Sequence, residues 1–549
     1  RTQRARREPG WSSLVAELAR APGAQTLQLS GLAKAGVAAQ LAGMLGHAPD
    51  PALVHAVHAR GEGVPLFTQA LVGADGSLRT NLSESLHGLL LCEVRTLPSP
   101  VQSLLRAASL SGRRVRPAYL AAVLDRPLAD VEDGLGAALA CDVLEWQDGA
   151  YTFRHELIRE ALERDTPPGE RARLHAAHAA ALEATPATDA DTWVSLALAR
   201  HWHLAAQPKR ALAAAWRAAG EAQRAGCHEE QLDMLELVLL RWSAVSDADH
   251  ALGVNRLDVL ELAADAACWA AQPARGLILT EAALCAARER KDGEQVARLL
   301  LQRAPMRQQQ AVPGQLEDLE AALPLTVSNA MLRAECLGQL CRAFLMRDRI
   351  EEAQVHAAEL AELAVVTGNG AVALDAQLVQ AMLQARQGVD AADALQAVAG
   401  RCRQFGLSWL EVLAMNTAVE CHAAAGRMAL AIEVGERTAR RCAEVGQTGY
   451  LGAAVAQNRA RALQFVGRWD EAVVLLEQAL ERDPPPFGRA QLLLCRAEIA
   501  VLRGEVETAQ QALSAIKALP GALLSRPRAL RWLEIGLQQL QGVVPTVPE

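Results

Sequence analysis

Gly467-Arg468-Trp469-Asp470-Glu471-Ala472 has a counterpart upstream, Gly426-Arg427-Met428-Ala429-Leu430-Ala431, and another downstream, Gly504-Glu505-Val506-Glu507-Thr508-Ala509. The three glycines stand 41 and 37 residues apart, and weaker copies fall at Asp348–Ala353 and near Gly388–Ala394. A period near forty with helical spacing between copies predicts a helical solenoid, in which each unit buries its apolar face only against its neighbours. The fullest copy runs Ala460, Gly467, Ala472, Ala479, Pro484. Its small residues suit close helix crossings, and its proline ends the second helix. Ala497, Gly504 and Ala509 repeat the first three positions. No strand is expected from Pro168 onward.

Upstream of these repeats the pattern changes. Helical spacing covers Val101–Leu110, Pro117–Leu124 and Leu128–Ala140, and two alternating runs follow, Val143–Gln147 and Ala150–Phe153. Asp148-Gly149 between them is a preferred two-residue hairpin turn, because both turn positions need positive φ. Three helices closed by a hairpin predict a winged helix. Its third helix opens with Asp130, Glu132 and Asp133 and carries no Lys or Arg. Carboxylates at the end that would meet a major groove repel phosphates, so direct DNA reading by this module is excluded.

Further upstream, apolar residues recur at helical spacing over Leu32–Leu45, and Gly46 stops the run. Asp50-Pro51 reads as an N-cap followed by proline at the first helical position. That helix is expected to reach Arg60 and end at Gly61-Glu62-Gly63, with Pro65 opening the next. Thr26–Leu29 reads as one strand, and the rest of its sheet must lie before Arg1 or not exist. Arg1–Arg7 reads as a solvated tail.

Composition limits the chemistry. The 549 residues are 51% hydrophobic but only 3% aromatic, which favours close helix packing over sheets. A net charge of -8 without like-charge blocks beyond the first residues argues against polyanion binding by this chain. Eleven scattered cysteines without a CxxC pair are expected to be buried, reduced thiols of a cytoplasmic protein, with no metal site. No apolar run approaches a bilayer span. There is no P-loop, GxSxG or HExxH, so the chain is expected to have no catalytic residues and not to hydrolyse ATP. His175 and His178 share a helix face, whereas His201 and His203 do not, and all are expected to be ordinary surface or core histidines. Trp193, Trp202 and Trp216 are expected to anchor helix interfaces.

Three ordered segments carry a family resemblance. Gly61-Glu62-Gly63-Val64-Pro65-Leu66-Phe67 resembles the lid segment of STAND-class ATPases, especially the large ATP-binding regulators of the LuxR type. Tyr151-Thr152-Phe153-Arg154-His155-Glu156-Leu157-Ile158-Arg159-Glu160-Ala161 resembles the segment after their winged-helix hairpin. Pro167-Pro168-Gly169-Glu170-Arg171-Ala172-Arg173-Leu174-His175 resembles the one that follows. The match covers roughly residues 25–240, and the repeats after it are TPR-like. The same arrangement occurs in SARP-type activators, whose DNA-binding domain is amino-terminal. The resemblance implies that Pro65 packs near an adenine, that Gly63 permits the close turn, and that His155 reaches towards ADP phosphates. The plain alternatives are a helix start at Pro65 and a satisfied interdomain histidine at His155. Val64 replaces the commoner polar residue.

The expected architecture is mainly α: a helical lid and winged-helix subdomain followed by a TPR-like α-solenoid. Its divisions are an ATPase-core remnant (1–30), lid (31–97), winged helix (98–166), repeats (167–520) and a terminal helix and tail (521–549). The start at Arg1 and the end at Val544–Glu549, without P-loop or helix-turn-helix, suggest a piece of a longer regulator. ATP or ADP would bind the full-length parent, with no tight binding to this piece. The repeats would take a protein or small-molecule effector, DNA would be met only by a domain outside this chain, and no membrane is involved. Two other classes fit the residues: a stand-alone TPR scaffold for protein contacts, and the sensor region of a signalling enzyme such as a cyclase or kinase.

Overall fold

In a computed structural model, which describes residues 30–73, 75–79, 83–184, 192–519 and 527–541 together with 17, 20 and 21, the repeat glycines stand where helices stop. Gly467 has φ +81°; its N–H donates to Gln464 O at 3.1 Å, and that of Arg468 donates to Leu463 O at 2.9 Å. Gly426 and Gly504 make the same pair of bonds. This left-handed closure satisfies carbonyls that a helix end leaves bare. The strand expected at Thr26–Leu29, the Arg1–Arg7 tail and the end at Val544–Glu549 lie outside the described residues.

The chain packs as two compact units, Arg1–Gln207 and Pro208–Glu549. The first contains α1 (Lys34–Leu45), α2 (Pro51–Gly61), α3 (Pro65–Leu71), α4 (Glu84–Leu91), α5 (Ser99–Leu110), β1 (Arg114–Val115), α6 (Pro117–Leu124), α7 (Leu128–Ala140), β2 (Leu144–Gln147), β3 (Ala150–Phe153), α8 (Glu156–Asp165), α9 (Pro168–Ala184) and α10 (Thr192–Leu204). The Asp50 carboxylate accepts from Ala52 N at 2.9 Å and Pro51 is the first helical residue of α2. Asp148 and Gly149 turn the hairpin at φ +50° and +76°. A strand the alternation did not reveal, β1, pairs antiparallel with β3, giving a three-stranded sheet in the order β1-β3-β2. Two residues are too short to show a period of two.

One apolar core joins lid and winged helix. Phe67, Leu71, Leu90 and Leu91 pack with Leu104, Leu105, Phe153 and Leu157. Each such side chain contributes about 1.5–3 kcal/mol over an exposed one. A smaller core around Val37, Leu41 and Val57 holds α1 to α2. Asp130, Glu132 and Asp133 of α7 all face solvent.

The second unit contains α11 (Pro208–Ala225), α12 (His228–Trp242), α13 (Ala248–Leu252), α14 (Arg256–Trp269), α15 (Pro273–Arg290), α16 (Gly293–Gln309), α17 (Gln315–Ala322), α18 (Ala330–Leu345), α19 (Ile350–Thr367), α20 (Gly370–Arg386), α21 (Ala392–Gln404), α22 (Ser408–Ala424), α23 (Met428–Glu444), α24 (Tyr450–Phe465), α25 (Trp469–Glu481), α26 (Pro486–Arg503), α27 (Val506–Ala518) and α28 (Pro527–Leu540). No strand occurs here among the described residues. From α14 on, even-numbered helices pack against the next even-numbered helix more closely than odd-numbered ones do. The array therefore curves towards its even-numbered side, a TPR-like solenoid. Ala353, Ala431, Ala460, Ala472, Ala497 and Ala509 are buried at the crossings.

Two expectations need correction. Of the eleven cysteines only six are buried, while Cys92 and Cys285 are exposed. Cys285 lies on a face of α15 that no neighbour covers, and Cys92 lies in the turn that ends α4. Trp202 is buried, but Trp193 is 68% exposed and anchors no interface. Their separation of nine residues places them on opposite sides of α10.

Candidate functional site

Backbone geometry at Gly61–Pro65 comes first. Gly63 has φ +71°, and its carbonyl accepts from Leu32 N at 2.7 Å. A Cβ at Gly63 would sit 2.2 Å from Leu32 O. Glycine is required there twice over, by conformation and by space. Pro65 begins α3 with its ring exposed beside the half-exposed Leu66, and its carbonyl accepts from Gln40 Nε2 at 2.8 Å.

His155 arrives from the turn between β3 and α8. Its Nδ1 lies 3.0 Å from Glu62 Oε2, and its ring meets Phe67 edge-on with centroids 5.3 Å apart. The other carboxylate oxygen of Glu62 lies 3.1 Å from Arg113 Nη2. Two residues earlier, on α2, Arg60 donates to Glu160 of α8 through Nε at 3.1 Å and Nη2 at 2.6 Å, and through Nη1 to Arg79 O at 2.6 Å. The fold thus brings Gly63, Pro65 and His155 to one junction, connected through Glu62 and Phe67.

Glu62, Arg60, Arg113 and Glu160 are not among the candidate site residues that the sequence offers. Only Glu62, enclosed between Gly61 and Gly63 in a turn, carried a local signal. With Nδ1 engaged by Glu62, the ring presents Nε2, which donates to an anion only when both nitrogens carry protons. The exposed Pro65 and Leu66 form an apolar lip against which a flat base can lie.

A second candidate surface is the even-numbered side of the repeats. Asp265 of α14 and Glu335 of α18 are solvent-exposed, yet desolvation raises both carboxyl pKa values. Further along, Arg342 pairs with Asp375 and lies 5.1 Å over the Trp409 ring. Asn458 Nδ2 donates to Glu420 Oε1 at 2.9 Å.

His175, His178 and His201 form a third cluster, on α9 and α10. His175 and His178 share a face as expected, but His201 joins them from the next helix. Among the described residues no group of three or more His, Cys, Asp or Glu side chains is arranged to hold a metal ion. Likewise no described helix is long and apolar enough to cross a membrane.

No family model and no curated protein matches this chain. Solved structures similar to it include a Signal Transduction ATPase with Numerous Domains (STAND) protein with a tetratricopeptide repeat sensor from Pyrococcus horikoshii. The overlap is 13% identical with a TM-score of 0.33, covering 95% of this chain and 77% of that one. A Rap protein complexed with Competence and Sporulation Factor is 13% identical with a TM-score of 0.39, covering 67% and 92%. Yeast Tom70 is 14% identical with a TM-score of 0.34, covering 75% and 93%. At these scores the likenesses assign nothing beyond what the chain's own residues display.

Proposed function

We propose that the chain is the sensor and protein-interaction portion of an ATP-dependent, signal-responsive bacterial transcriptional regulator. The Glu62–His155 contact carries the reading, because it ties the lid-like turn directly to the segment after the wing. Bound ADP or ATP supplies the charge that distinguishes the two states of such a regulator. Within this chain, Gly63 holds the turn against Leu32, Pro65 and Leu66 offer an apolar edge to the base, and Glu62 orients His155. The curved repeat array takes a protein or small-molecule effector. An effector shifts the balance only by the difference in its affinity for the two states. DNA is met by a domain outside this chain.

The test is nucleotide binding by the full-length parent with Pro65→Ala and His155→Ala. We expect ADP affinity to fall about tenfold for each, near 1.4 kcal/mol, while the fold is kept. Unchanged affinity in both variants would remove these residues from the nucleotide site. An absence of nucleotide binding by the unmodified parent would leave a repeat scaffold for protein contacts.

A further inference from the structure

In a solenoid each unit touches its neighbours and little else. Contacts near the end of α16 break that rule. Gln308, in the last turn of α16, donates from Nε2 to Tyr450 Oη at 2.8 Å, across 142 positions. Tyr450 opens α24, four helical pairs further on.

The surroundings make this a built contact. Gln308 is oriented by Gln315, whose Nε2 donates to Gln308 Oε1 at 2.9 Å. On the other side the Tyr450 ring lies 5.9 Å from the Phe487 ring at the start of α26. Helix α16 also packs against α26, and a Cβ at Gly449 would reach 3.5 Å from Ala271 Cβ after α14. Two stretches of the inner face, distant in sequence, therefore meet side to side.

Both partners sit on segments that can yield. Pro305 lies inside α16 one turn before Gln308, where it removes a backbone donor and loosens the helix end. Tyr450 follows Val445–Gly449, a connector containing Gly446 and Gly449 and longer than the three-residue links at 405–407, 425–427 and 466–468.

We propose that Gln308 and Tyr450 form a latch that holds the repeat array in a closed turn, and that breaking it lets the array open. The Gln308–Tyr450 hydrogen bond is neutral, and it adds to the packing of α16 against α26 in holding the closed form. A bond of that kind changes an equilibrium by about 2- to 12-fold, within reach of a partner's binding. The latch belongs to the repeat unit and holds whether or not the parent binds nucleotide.

The test compares the unmodified chain with Tyr450→Phe, Gln308→Ala and Tyr450→Ala, using small-angle X-ray scattering and amide hydrogen exchange. Tyr450→Phe removes only the hydroxyl and keeps the ring beside Phe487. We expect exchange at 446–452 and 306–312 to quicken by about 2- to 12-fold in Tyr450→Phe and Gln308→Ala. The radius of gyration should rise in step, with the other helices protected as before. Should Tyr450→Ala unfold, the two milder variants decide. Scattering and exchange indistinguishable from the unmodified chain in both, or faster exchange spread evenly over all helices, would overturn the latch.

Discussion

The Nδ1 atoms of His175 and His201 lie 2.9 Å apart between α9 and α10, so one ring donates the proton and the other must lack it. Beside them the tautomer of His178 is determined. Its Nε2 donates to Ala107 O at 3.0 Å, leaving Nδ1 to accept from Tyr119 Oη at 2.9 Å. The rings of His178 and His201 stack with centroids 4.9 Å apart.

Acid should therefore weaken the first unit. Desolvation pushes His175 and His178 down to about 4 and His201 down to about 3, with Arg171 adding to the effect at His175. Above pH 6.5 these histidines are neutral folded and unfolded, and add no pH dependence. Between 6.5 and about 4 the unfolded chain takes up protons that the folded one refuses, so stability falls as pH falls. Each histidine adds up to about 1.4 kcal/mol per pH unit. Thermal melts from pH 7.5 to 4.5 should show the decline, and His201→Gln should flatten it. An unchanged slope in that variant would mean that other groups dominate.

Gly63 and Gly467 should respond differently to alanine. Both have positive φ, but a Cβ at Gly467 meets nothing within 4 Å, whereas one at Gly63 collides with Leu32. Gly467→Ala should cost about 1–2 kcal/mol, the conformational penalty alone. Gly63→Ala should cost more, because the backbone must also move. Urea unfolding of the two variants checks the order; equal losses would show that the turn at Gly63 relaxes freely.

Arg303 is 7% exposed and Asp318 is 4% exposed; they pair through Nε at 2.9 Å and Nη2 at 2.6 Å. Arg307 also reaches Asp318, at 3.0 Å. Asp318→Ala strands Arg303 with only Glu281 and should cost about 3–5 kcal/mol. Replacing both members, Arg303→Met with Asp318→Leu, should recover much of that loss. Urea midpoints of the single and double variants measure it, and equal midpoints would count against a buried-charge origin.

Arg60 and Glu160 join the lid to α8 with about a fifth to a quarter of each side chain exposed. Solvent screening limits such a pair to about 1 kcal/mol. A double-mutant cycle with Arg60→Met and Glu160→Gln should give that coupling, reduced at high salt. A coupling near zero would leave the shared apolar core as the chief tie between these elements.

Much of the fold was legible because its signals are local. The hairpin at Val143–Phe153, the cap at Asp50 and the turns at Gly426, Gly467 and Gly504 are each written within a few residues. Other repeat turns were silent. Ala206, Ala271, Lys291 and Ala311 hold the same left-handed position, and the residues after them make the same backbone bond to a carbonyl five residues back. A penalty of about 1–2 kcal/mol per residue is small beside the packing of two helices, so glycine is not needed at every turn.

Local propensity and spacing therefore determined the helices, the hairpin, the winged-helix order and the repeat period of this protein. Tertiary structure alone decided which distant residues meet. Glu62 reaches His155 across 93 positions, His201 joins His175 across 26, and Tyr450 reaches Gln308 across 142. Turns and caps depend on a few neighbouring dihedral angles. Encounters over such distances depend on crossing angles and curvature accumulated over many helices, which no short stretch of sequence contains.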